Sequence, residues 1–109
     1  MRTTYNKLVR DRIPEIIKLE GRDPVTRILN DEEYRSSLLA KLREEAQEAE
    51  SASAENLLCE LADILEVLLA LTETHNITWR EVESAATLKR AQRGGFRGRV
   101  FLEYVEHTD

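Results

Sequence analysis

Leu38-Leu39-Ala40-Lys41-Leu42-Arg43-Glu44-Glu45-Ala46-Gln47-Glu48-Ala49-Glu50, and after the break Ser51-Ala52-Ser53-Ala54, Glu55-Asn56-Leu57-Leu58-Cys59-Glu60-Leu61-Ala62-Asp63-Ile64-Leu65-Glu66-Val67-Leu68-Leu69-Ala70-Leu71, decide the fold. In the first run Leu38, Leu39, Leu42, Ala46 and Ala49 recur at helical spacing and form one apolar stripe. Glu45 falls at the border of that stripe, with Glu44 and Glu48 just beyond it. The second run carries a broader apolar arc of Leu57, Leu58, Leu61, Ile64, Leu65, Val67, Leu68 and Leu71; Glu60 lies inside one edge of it and Asp63 follows a turn later. Two such helices, joined by so short a break, pack antiparallel. Their acidic borders can then face each other and concentrate up to five negative charges, Glu44, Glu45, Glu48, Glu60 and Asp63, in one place.

Outward from this pair, the termini of the helices are written in local chemistry. Asn30 with Glu33 three residues later is a capping box that opens the first long helix, expected to run through Glu50. The second runs from about Ala54 to His75, and Asn76 is its stop. Thr78 with Glu81 is another capping box, opening a helix to about Arg93 that Gly94 and Gly95 close. Upstream, Pro14 suits the first turn of a short helix over roughly residues 13 to 20, which Gly21 ends. Val25 to Leu29 and Arg99 to Val105 are rich in strand formers and are expected to pair as a small accessory β element, near residues 25–29 and 99–105. The expected fold is a mainly α helical bundle, with residues 1–109 as a single domain.

Composition narrows the classes. A chain of 109 residues supports one core, and a net charge of −5 disfavours non-specific nucleic-acid binding, because phosphate backbones repel an acidic surface. The lone Cys59 excludes an internal disulfide and fits a reducing compartment. No charged-then-apolar leader is read at the N-terminus, and the stretch Ile64 to Leu71 is interrupted by Glu66 and too short for a bilayer. A cytoplasmic protein with no membrane partner is expected.

Carboxylates packed this closely oppose one another's ionisation and lose water, a cost that a divalent cation removes. Mg²⁺, with Mn²⁺ as a substitute, takes oxygen ligands and joins carboxylates to substrate phosphates, as i, i+3 pairs on facing helices could offer. Glu44, Glu45, Glu48 and Glu50 alone would read as the solvated face of a charged helix. Glu60 and Asp63 change that reading, because they interrupt the apolar edge of a second helix.

The pattern Glu44-Glu45-Ala46-Gln47-Glu48 followed by Glu60-Leu61-Ala62-Asp63 resembles the EExxE and ExxD signature of the MazG-type all-α nucleotide pyrophosphohydrolases. Tyr5-Asn6-Lys7-Leu8-Val9-Arg10-Asp11-Arg12-Ile13-Pro14, Arg93-Gly94-Gly95-Phe96 and Val100-Phe101-Leu102-Glu103 look like its phosphoribosyl-ATP pyrophosphohydrolase-like subgroup, so the resemblance covers nearly the whole chain. It implies hydrolysis of a nucleoside triphosphate or related nucleotide, phosphoribosyl-ATP among the candidates, between the α and β phosphates. The products are a monophosphate and pyrophosphate. Position by position it implies Glu45, Glu48, Glu60 and Asp63 as metal ligands, and Glu44 and Glu45 as catalytic carboxylates, one of them accepting a proton from the attacking water. The short connection between the two motifs leaves no substrate-shaping insertion, so substrate preference does not carry over from relatives with longer connections.

Any phosphate ligand must meet local positive charge. Lys7 and Arg10 lie in the family-like N-terminal segment, and Lys89 and Arg93 share one face of the last helix; these four are the expected substrate-binding residues. Arg90 and Arg97 complement a helix C-terminus, Trp79 is read as a packing residue, and His75 and His107 are assigned no role. The wide apolar arc exceeds what one partner helix would cover, which predicts a homodimer or higher homo-oligomer. The competing reading is a non-catalytic helical oligomerisation or metal-binding module.

Overall fold

Side-chain capping boxes open two of the four helices, and left-handed turns close two. The structure, a computed structural model, describes residues 1–107, and its elements in chain order are α1 (Ile13–Leu19), α2 (Asp31–Ser51), α3 (Ala54–Thr74) and α4 (Trp79–Arg93). At the start of α2 the Glu33 amide donates to the Asn30 side chain at 2.8 Å while the Glu33 carboxylate accepts from the Asn30 amide at 3.4 Å. Thr78 and Glu81 repeat this reciprocal pairing at α4, with distances of 3.1 and 3.4 Å. Each box satisfies two donors that the first helical turn leaves unpaired. At the other end of α3, Asn76 takes a left-handed φ of 55°, and the Ile77 amide reaches back to the Thr72 carbonyl at 2.9 Å. Gly21, at φ 81°, ends α1 by the same turn, with the Arg22 amide on the Ile17 carbonyl at 3.2 Å.

The chain divides into two compact units, Met1–Ile77 and a second beginning at Thr78. Within the first, α2 packs along α3 across a connection of only Ala52 and Ser53. The buried residues among those described are few: Leu38 and Val67, with one charged companion, Glu45. Leu42, Ile64 and Leu68 are half-buried around them, and Ile13, Pro14 and Ile17 of α1 are half-buried as well. The second unit is α4 followed by a segment without regular structure as far as residue 107, and none of its described residues is buried. No helix among the described residues is long and apolar enough to cross a membrane.

The fold is mainly α-helical, as the sequence predicts, but the accessory β element is absent. Among the described residues neither 25–29 nor 99–105 forms a strand. Val25 and Ile28 are 99% and 95% exposed, and Val100 and Phe101 are 91% and 86% exposed. Strand propensity reflects packing on a half-buried pleated surface, and these side chains pack on nothing. In the segment ahead of α2, Arg27 donates to Glu33 at 2.9 Å, and this bond, with that from the Asn30 amide, holds the Glu33 carboxyl below the usual carboxylate range.

Candidate metal centre

The antiparallel packing of α2 on α3 brings Glu45, Glu60 and Asp63 together, with one oxygen from each carboxylate within 4.8 Å of the others. Glu45 faces α3 from the inner side of α2 and is 5% exposed; Glu60 and Asp63 answer it from successive turns of α3 and are half-buried. Glu44 is half-buried beside them. Glu48, one turn beyond Glu45, stands on the exposed rim, where it lines a shallow cleft of ≈ 400 Å³ together with Glu44, Gln47, Ser51, Ala52 and Glu60. Four of the five acids singled out from the sequence are thus inside or against the helix contact, and Glu48 is at its mouth.

Two oxygens in this group, Glu45 Oε2 and Glu60 Oε2, are buried and have no hydrogen-bond partner. A buried carboxylate oxygen left unpaired is costly, and buried polar atoms in folded proteins are otherwise almost always satisfied. Burial pushes the Glu45 carboxyl above the usual carboxylate range, the neighbouring Glu48 charge adds to the rise, and Lys41 opposes it. The all-oxygen donor set and its orphaned atoms fit a hard divalent cation such as Mg²⁺ or Mn²⁺, for which carboxylates are the preferred protein ligands.

Positive charge surrounds the acids from three positions. Lys41, on the same helix, lies 3.4 Å from Glu45 and 3.8 Å from Glu44, with its side chain 18% exposed. Lys7 approaches Glu44 at 3.4 Å, and Arg10 donates to Asp63 at 2.7 Å. The sequence reading passes over Lys41, although its i, i+3 and i, i+4 spacing to Glu44 and Glu45 is the ordinary signal for a helical ion pair. Gln47 and Ser51, which line the cleft, were likewise not singled out. Lys7 and Arg10 are at the acids, here as partners of the carboxylates themselves. Lys89 and Arg93 lie exposed on α4, in the second unit, and the cluster within the first unit is formed without them. His75 caps its own helix, its Nδ1 2.9 Å from the Leu71 carbonyl.

The chain resembles an uncharacterized protein of Mycolicibacterium smegmatis, with 56% identity over 46 residues, 42% of this chain and 47% of the relative. The matched stretch therefore spans about half the length of that curated relative. No solved structure matches the chain. A family match, described as phosphoribosyl-ATP pyrophosphohydrolase, runs from residue 9 to residue 91 and so includes all five acids and both long helices. With the all-α architecture and the acids gathered between α2 and α3, this match identifies the chain as a member of the phosphoribosyl-ATP pyrophosphohydrolase family, within the MazG-like all-α superfamily.

Proposed function

We propose that the protein is a divalent-cation-dependent nucleotide pyrophosphohydrolase, cleaving a nucleoside triphosphate or a related nucleotide such as phosphoribosyl-ATP between its α and β phosphates. The observation that carries this reading is the triad Glu45, Glu60 and Asp63, whose oxygens converge within 4.8 Å and two of whose members keep a buried oxygen unpartnered. Mg²⁺, or Mn²⁺ in its place, is the proposed cofactor. Glu45, Glu60 and Asp63 would hold it, with Glu48 closing the set from the rim. When bound there, such an ion supplies neutralisation of phosphate charge and acidification of a water molecule.

The remaining work belongs to the chain. Glu44 and Glu45 are the proposed proton acceptors for the attacking water. Lys41 keeps Glu44 and Glu45 oriented. Lys7 and Arg10, placed beside the acids, are the proposed phosphate contacts, and Lys89 and Arg93 are further candidates from the second unit. The shallow cleft lined by Gln47, Ser51 and Ala52 lies beside the acids, where the polyphosphate chain would be received. The family match crosses from the first unit into the second, as far as residue 91, which supports residues 1–109 acting as a single functional domain.

Leu57, Leu58, Leu61 and Leu65 are exposed on α3 of the single chain, and this supports a homodimer or higher oligomer in which a second copy covers them. The competing reading, a non-catalytic assembly or metal-binding module, would use the same face for partner recognition. The lone Cys59 is in keeping with a reducing compartment, and the cytoplasm is the proposed location.

Pyrophosphate release from a panel of nucleoside triphosphates and phosphoribosyl-ATP, with Mg²⁺ or Mn²⁺, separates the readings. Turnover on one panel member that drops about 10²–10⁴-fold in Glu48→Gln and Asp63→Asn, with folding intact, is the expected result. Metal binding without turnover on any member would favour the non-catalytic module.

A further inference from the structure

The segment that precedes α1 is fastened to the helix pair at two points, and both end on acids of the candidate centre. Lys7 Nζ lies 3.4 Å from Glu44 Oε1, and an Arg10 guanidinium nitrogen lies 2.7 Å from Asp63 Oδ1, links that span 37 and 53 residues of sequence. Between them Leu8 and Val9 are half-buried, so the backbone is held by packing while the flanking cationic side chains remain 42% and 54% exposed. Lys41 differs: it is largely buried and pairs with Glu44 and Glu45 on its own helix.

We propose that Lys7 and Arg10 are exchangeable counter-cations of the metal-free chain: Arg10 yields Asp63 to a divalent cation, and Lys7, paired with Glu44 beside the ligand set, is driven off by the charge of the same ion, so that both side chains become free for ligand phosphate. This rests on the reading of Glu45, Glu60 and Asp63 as a metal centre. Two side-chain charges equal the charge of one divalent ion, so the exchange leaves the net charge of the acidic group unchanged. A guanidinium and a divalent cation on one partly desolvated carboxylate repel each other. Exposed ion pairs are weak, so the side chains leave at little cost, and the displaced pair alters the affinity of the incoming cation by no more than about fivefold. Leu8 and Val9 keep the segment in place, and the released charges therefore stay within side-chain reach of the cleft mouth.

The test is calorimetric titration of the full chain with Mg²⁺, and then with inorganic pyrophosphate at saturating Mg²⁺. Arg10→Gln and Lys7→Gln are each expected to bind Mg²⁺ about two- to fivefold more tightly than the natural chain and to bind pyrophosphate more weakly. Arg12→Gln removes the same charge from the same segment, but its partner is Glu15 at 3.3 Å, outside the centre, and both affinities are expected to stay as they are. Equal or weaker Mg²⁺ affinity in Arg10→Gln overturns the proposal, since Arg10 would then orient Asp63 rather than compete for it. An equal response in Arg12→Gln also overturns it, leaving only a general effect of charge. A natural chain whose Mg²⁺ binding is absent, or indifferent to Asp63→Asn, is a separate outcome that removes the metal centre itself.

Discussion

The two edges of α3 are treated in opposite ways. The edge that bears Glu60 and Asp63 is turned against α2 and half-buried, while Leu57, Leu58, Leu61 and Leu65 are between 40% and 76% exposed. Folded chains ordinarily do the reverse, hiding leucine and exposing carboxylate. The inversion separates two tasks on one helix. The charged edge is met from within its own chain: Arg10 pairs with Asp63, Lys41 and Lys7 pair with the facing acids of α2, and the Glu45 and Glu60 oxygens left unpartnered are where the proposed cation would sit. The apolar edge has no such groups and lies open on the single chain, where the proposed second copy would cover it.

The largest effect is expected on the open edge. Glu substituted at both Leu58 and Leu61 would remove two apolar contacts of about 1.5–3 kcal/mol each and bury charge in their place, so association should weaken by about two orders of magnitude or more. Sedimentation reads it directly. A natural chain that sediments as a monomer at micromolar concentration would break the comparison, because the leucines would then need no partner.

Next is the single buried leucine of α2. Leu38→Ala leaves a cavity where the contact with α3 has almost nothing else in its centre, and a loss of about 2–5 kcal/mol is expected in denaturant unfolding. A loss well under 1 kcal/mol would mean that the helix pair is held mainly by contacts made outside this core.

The smallest effect tests the closed edge. The raised proton affinity of Glu45 means that its charged form is penalised in the fold; the penalty is absent below the ordinary carboxylate range and complete above the raised value. In chelator at neutral pH, Glu45→Gln should therefore melt about a few degrees higher than the natural chain, and the difference should close as the pH falls below about 4. Added Mg²⁺ should reverse the order, since the natural carboxylate gains a ligand that the amide does not. A lower melting temperature in chelator would show that Glu45 stabilises the pair through Lys41 alone.

What was legible in the sequence depended on distance along the chain. Both capping boxes, the Gly21 and Asn76 stops and the meeting of Glu45 with Glu60 and Asp63 follow from spacings of a few residues and one short connection. Val25, Ile28, Val100 and Phe101 have the composition of strands, while a strand also requires a partner ladder that composition does not report. The pairing of Arg10 with Asp63 joins positions 53 residues apart on no common element, and no periodicity encodes it. Lys41 could have been found, because it sits one turn before Glu45 on the same helix.

The link of only two residues between α2 and α3 has a kinetic consequence. Closing a short loop loses little entropy, and contacts local in sequence form fastest. Glu45, Glu60 and Asp63 lie on either side of that loop, so they converge as soon as the hairpin zips from its turn. The carboxylates should then be assembled while the residues before α1 are still searching for their place, and the order of folding would put the binding groups ahead of the side chains that guard them.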